Sequence, residues 1–265
     1  MPWKHPSRWA GILLVLAALI LYLLTLDNGL RPGELEGGDL ITHQYAQVQA
    51  RPSNAPGYPL YTLGGWAWFH GVRSLLGRHA NPTAILSAYS TLWALLALWL
   101  LYQLIVDLTG NWGIGLLLGA FYAVTTFFWY YAVSTEQYTS AVAQTLAIVL
   151  LAFRWEATQD RADREGRSEP AGDGFLLALA FLAGSTLAHL VTVAFVVPPL
   201  LWFVLSRRPG LMRRPKLVAG TVGLALLPLV SYVFVYVRGA QHPPSWPDST
   251  RRGIWLSRCR ISSGS

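Results

Sequence analysis

Several stretches of this chain carry side chains suited to acid–base or anion chemistry. Glu34, Glu36 and Asp39 are followed closely by His43, Gln44 and Tyr45. Such acids are either a solvated loop or proton acceptors. The loop ends at Pro56-Gly57-Tyr58-Pro59-Leu60-Tyr61, where a glycine between prolines sets a rigid turn with aromatic anchors. Glu136 stands among Trp129, Tyr130, Tyr131 and Tyr138, between two long apolar runs. A carboxylate near membrane depth is costly and marks function, unless it caps a helix and is held by the dipole. His189 lies at the turn of an apolar hairpin and is read as a catalyst or as a packing residue. Arg238, at the end of the last apolar run, suits head-group snorkelling or phosphate binding. Gathered at one membrane face, acids, imidazole, guanidinium and tyrosines fit chemistry on a lipid-linked substrate.

Whether they gather depends on the elements that carry them. The chain has 265 residues, 53% hydrophobic and 12% charged, against roughly a quarter charged in soluble domains. A helix needs about 20 apolar residues to cross the hydrocarbon core. Trp9–Leu26, Trp112–Val133 and Leu217–Val237 meet that length, and Thr83–Val106 and Thr139–Phe153 are weaker candidates. Gly174–Leu205 is too long for one crossing and reads as two helices joined by a tight turn. The expected fold is all-α: a polytopic transmembrane helical bundle of about 7 full spans plus one re-entrant or interfacial segment. The first run is too long for a signal-peptide core and reads as a retained helix. The single cysteine, Cys259, excludes an internal disulfide.

Charge orients the bundle. Arg207, Arg208, Arg213, Arg214 and Lys216 anchor loop 207–216 in the cytoplasm, and the arginines of 154–173 add a second cytoplasmic loop. Lys4 and Arg8 hold the N-terminus inside. Loop 27–58, the turn at Glu136 and the turn at His189 then face outward, as does the tail 239–265. This is a multi-pass cell-membrane protein with a cytoplasmic N-terminus. The scheme holds only if Pro59–Leu76 does not cross. Its short length, the flexible Gly64-Gly65 pair and Trp66, Trp68 and His70 suit a surface-lying or re-entrant helix; a full span, with another helix miscounted, is the alternative. Gly38–Gln49 reads as an amphipathic surface helix of imperfect periodicity. The basic residues sit in short loops between apolar helices, which argues against a nucleic-acid partner.

Glu36-Gly37-Gly38-Asp39-Leu40 followed by Pro56 to Tyr61 resembles a family of polytopic membrane proteins related to protein O-mannosyltransferases, of the GT-C glycosyltransferase class. Phe128-Trp129 with Glu136-Gln137-Tyr138 is similar to its Phe-Trp…Glu-Val-Tyr element, and His189-Leu190 to its His-Leu-Thr turn. Arg238 with Ser245-Trp246-Pro247-Asp248 is a weaker likeness. The acids of the first motif are exchanged relative to the family, and Asn54-Ala55 replace its His-Pro. Residues 1–238 correspond to a GT-C-like domain, and the ending reads as truncated relative to longer family members.

The resemblance implies sugar transfer from a polyprenyl-phosphate donor to an acceptor hydroxyl, on protein or glycan, outside the cytoplasm. A hydroxyl needs a carboxylate to take its proton as it attacks, and Asp39 and Glu36 are the candidates. Arg238, Arg78 and His189 are candidates to hold the leaving phosphate. Tyr58 and Tyr61 would line the pocket, and Glu136 with Tyr138 would position the acceptor or a divalent metal. No metal-ligand spacing stands out. A transporter would place its site at broken helices near the midplane, often within inverted repeats, and no repeat is visible. A non-catalytic membrane subunit is the other alternative.

Overall fold

The structure, a computed structural model, describes residues 5–29, 40–77, 79–166 and 172–241. These form an all-helical bundle: α1 (His5–Leu24), α2 (Leu40–Gln49), α3 (Pro59–Leu76), α4 (Pro82–Thr109), α5 (Trp112–Ala123), α6 (Thr126–Val133), α7 (Tyr138–Arg164), α8 (Asp173–His189), α9 (Val197–Arg207), α10 (Pro215–Leu226) and α11 (Ser231–Gln241). Short 3₁₀ segments lead into α9, α10 and α11.

Local chemistry sets the boundaries. The Asn81 side chain accepts from the backbone N–H groups of Thr83 and Ala84, and Pro82 opens α4. Asn111 does the same for Gly113 and Ile114 at the start of α5. Gly110, at φ 69°, closes α4 in the left-handed region. Ala50, at φ 50°, ends α2.

Four helical segments are long and apolar enough to cross a membrane: Ser7–Leu24, Pro82–Thr109, Tyr138–Arg164 and Pro215–Gln241. The expected single helix Trp112–Val133 is instead α5 and α6, bent by 69°; counted as one broken span, the pair brings the candidate crossings to five. Thr125 explains the break. Its hydroxyl donates to the Tyr122 carbonyl at 2.8 Å, and the Val124 and Thr125 N–H groups bond three residues back rather than four. The two helices expected in Gly174–Leu205 are present as α8 and Val191–Arg207, each shorter than a full-length span. Helix α7 also runs on to Arg164, past the expected end at Phe153.

The central pack is α4 against α1, α5, α6 and α7. Tyr22, Ala94, Ala97, Leu98, Ala123, Phe128, Ala132 and Ala143 form its core, and the alanines let the helices approach closely. Where α8 meets α10, a Cβ on Gly184 would overlap the Ala225 carbonyl.

Helix α3 does not run the length of this pack. Tyr61 bonds Ser90, Trp68 donates to the Ile85 carbonyl at 2.7 Å, and Phe69 packs on Ile85 and Leu86. His70 meets the Val48 carbonyl of α2. Thus α3 lies over α2 and the opening turns of α4, and it is not among the helices apolar enough to cross. Gly64-Gly65 is a close-approach device. A Cβ on Gly64 would overlap the Tyr89 hydroxyl, and one on Gly65 the Gln47 amide.

The bundle has two chemically distinct ends. At one, Arg154 reaches Gln103 and Asp107, Arg207 pairs with Glu156, Arg208 with Asp163 and Arg214 with Asp173. At the other, α2 and α3 cover the opening of α4 and the end of α8, and α2 meets the turn before α7. Along α7 alone, Tyr138 and Arg154 stand about 24 Å apart at 1.5 Å per residue.

Candidate functional site

The site is built where the turn between α6 and α7 meets α2, α3 and α8. Ser134 to Gln137 are buried. The Ser90 hydroxyl donates to the Glu136 carbonyl at 3.0 Å and its oxygen accepts the Glu136 N–H at 3.1 Å. Ser87 meets the Thr135 hydroxyl at 3.1 Å, and the Thr139 hydroxyl donates to the Ser90 carbonyl. Hydroxyls on α4 therefore fix both sides of Glu136 and satisfy the backbone of a buried turn.

Glu136 is not the residue that caps α7. That position is Gln137, whose side chain makes no capping bond. The Glu136 carboxylate instead faces α2, with Oε2 3.9 Å from His43 Nε2. The other ring nitrogen of His43 bonds the Ser53 hydroxyl at 2.8 Å. Tyr58 and Tyr61 flank this imidazole, with centroids 5.7 and 5.9 Å away.

Tyr61 continues the cluster. It is fully buried, bonds Ser90 Oγ at 3.1 Å, and stands edge-on to His189 at 5.7 Å. Burial pushes its phenol well above the usual range, partly offset by the Ser90 hydroxyl, so the group stays neutral. His189 is enclosed by Tyr61 and by Trp93, 5.5 Å away. Its Nε2 lies 2.5 Å from Ser140 Oγ, and that hydroxyl's one proton goes to the Gln137 carbonyl. Ser140 can therefore only accept from His189, which places the imidazole proton on Nε2 and leaves Nδ1 as an acceptor. His189 thus packs, with Nδ1 left as an acceptor.

The structure brings together four of the residues expected from the sequence: Glu136, Tyr58 and Tyr61 around His43, and His189 beyond Tyr61. Tyr138 stands apart from this cluster, exposed and with its ring tilted against Tyr131 at 4.4 Å. Arg238 does reach this end, where it holds α2. Its Nε donates to the Ala50 carbonyl at 3.1 Å and its Nη2 to the Gln49 carbonyl at 2.9 Å. Asp39, Glu36 and Arg78 lie outside the described residues, as does the Ser245–Asp248 element. Among the described residues no three His, Cys, Asp or Glu side chains group as metal ligands.

His43, which the sequence showed beside the loop acids, was given no role of its own there. Its signal was polar: His43 and Gln47, four apart, share the buried face of α2 with Leu40 and Ala46. A buried polar stripe at helical spacing marks a helix turned toward a site.

A family model described as the protein O-mannosyl-transferase TMEM260 N-terminal domain matches residues 38–212. The chain belongs to that family. The match takes in Asp39, His43, Tyr58, Tyr61, Glu136 and His189, and ends before Arg238. No curated protein and no solved structure matches the chain. The matched residues include the carboxylate–imidazole–tyrosine cluster at the end of the bundle remote from the paired arginines. It offers a buried carboxylate, a neutral imidazole with a free acceptor nitrogen, and hydroxyl donors around them.

Proposed function

We propose that the chain transfers a hexose, mannose in the first instance, from a polyprenyl-phosphate donor to a hydroxyl of an acceptor protein or glycan on the extracytoplasmic face. In this reading α8 and Val191–Arg207 also cross the bilayer, so α1, α4, the bent α5–α6 pair, α7, α8, α9 with its leading turn, and α10–α11 make seven crossings. The arginine-rich end stays in the cytoplasm by the charge rule, and the Glu136 end faces out. Helix α3 rests at the outer interface.

One observation carries the reading: Glu136 is anchored by α4 hydroxyls and faces His43 of α2, the helix that begins immediately after Asp39. Chain order brings the family's first-loop acid to the element that meets Glu136. Asp39 is the preferred base, since it lies within the matched residues and Glu36 lies before them. As the acceptor oxygen bonds the anomeric carbon, the carbon–oxygen bond to phosphate breaks. The acceptor proton passes to Asp39 and the phosphate leaves with the bonding pair. Glu136 and His43 orient the acceptor, Tyr58 and Tyr61 wall the sugar pocket, and Arg78 is the cation for the leaving phosphate, while His189, its one proton given to Ser140, packs behind Tyr61.

Transfer of labelled mannose from polyprenyl-phosphate donors in membranes tests this. Transfer that Asp39→Asn abolishes supports the reading, and wild-type transfer in Asp39→Asn and Glu36→Gln removes both acids as the base.

A further inference from the structure

We propose that the arginine-rich end of the bundle holds a second site, one that recognises phosphate as the head group of an anionic phospholipid. A cavity of about 300 Å³ lies where the Pro209–Arg213 turn folds against α7 and α8. Arg207, Arg208 and Arg214 line it, with Trp155, Leu176 and Leu211. Trp155 is wholly buried, yet its indole N–H has no hydrogen-bond acceptor among the described residues. A buried donor without an acceptor is costly, and an anionic oxygen in the cavity supplies the acceptor.

Electrostatics favours an anion there. Each lining arginine pairs with one carboxylate: Arg207 with Glu156, Arg208 with Asp163 at 3.0 Å, and Arg214 with Asp173 at 2.6 Å. Those pairs use part of each guanidinium's five donors and hold the forks in place. Asp173 also lines the cavity and opposes an anion. Arg213 and Lys216 of the same loop are exposed and form no ion pair among the described residues, so the loop's cations outnumber its partner acids and the charge stays positive.

The surroundings favour a lipid over a free anion. Trp202 and Leu205 on α9 and Met212 in the turn expose apolar surface around the loop, as an acyl chain requires. Basic pockets between membrane helices are a recurring mode of head-group recognition.

The test uses the purified full chain in neutral detergent, titrated with phosphatidylglycerol or phosphatidylcholine and read by native mass spectrometry. Phosphatidylglycerol is expected to bind about tenfold tighter than phosphatidylcholine. Trp155→Phe keeps an aromatic ring and removes the donor; it is expected to weaken phosphatidylglycerol about fivefold, and Arg208→Gln about tenfold, with phosphatidylcholine unchanged. Equal binding of the two lipids, or variants that bind phosphatidylglycerol like wild type, overturns the site. Competitive displacement of phosphatidylglycerol by inorganic phosphate assigns it to a free anion and overturns the lipid assignment.

Discussion

His43 Nε2 faces Glu136 Oε2 at 3.9 Å, from a side chain sealed from solvent to one almost so. The pair links α2, the helix that follows the acidic loop, to the turn that opens α7. If the two act as a unit, their effects do not add. Glu136→Gln and His43→Gln are each expected to lower transfer about tenfold or more, and the double variant to lose little beyond the worse single one. A double-mutant cycle on transfer rate should give a coupling within about 0.5–3 kcal/mol. Strict additivity would mean that the residues work independently.

Arg238 is expected to act by holding α2. Arg238→Ala removes both donors to the Gln49 and Ala50 carbonyls. Lysine cannot restore two bonds in fixed fork geometry. Hydrogen exchange should then quicken at the α2 amides in both variants, with kcat falling more than donor KM rises. A rise in donor KM alone, with α2 protection intact, would instead make Arg238 a phosphate ligand.

Gly65→Ala and Gly184→Ala test the close approaches. The first meets a side-chain amide of Gln47 and the second the backbone carbonyl of Ala225. Overpacking costs about 1–3 kcal/mol. The backbone neighbour is less able to move, so Gly184→Ala should lower the melting temperature more. Gly65→Ala should also impair transfer, because Gln47 shares its helix face with His43. Melting curves in detergent check the order.

Orientation is open to a direct check. With Cys259→Ser, single cysteines at exposed Tyr138 and exposed Gly210 report opposite ends of the bundle. An impermeant thiol reagent applied from outside should label position 138 and spare 210. The reverse pattern would place the Glu136 cluster in the cytoplasm and end the extracytoplasmic reading.

Much of this architecture was legible in the residues. Apolar run length marked the helices, and the turns at Glu136 and His189 fell where they were expected. The bend at Thr125 was not legible, because run length registers apolarity while the break comes from a hydroxyl bonding its own helix's carbonyl. Gly64-Gly65 suggested flexibility, yet the pair works by lacking a Cβ where Tyr89 and Gln47 press in. The role of His43 was not legible for a related reason: apolar periodicity along α2 is imperfect because its buried face carries an imidazole and an amide. Arg238 showed its charge but not that two helix-end carbonyls take up its donors.

The most direct measurement is mannosyl transfer from a labelled polyprenyl-phosphate donor in membranes containing wild-type chain, Asp39→Asn or Glu136→Gln at matched expression. The account predicts label on an acceptor with wild type, a loss of about a hundredfold in Asp39→Asn, and a drop of at least about tenfold in Glu136→Gln. Undiminished labelling in both variants would contradict it.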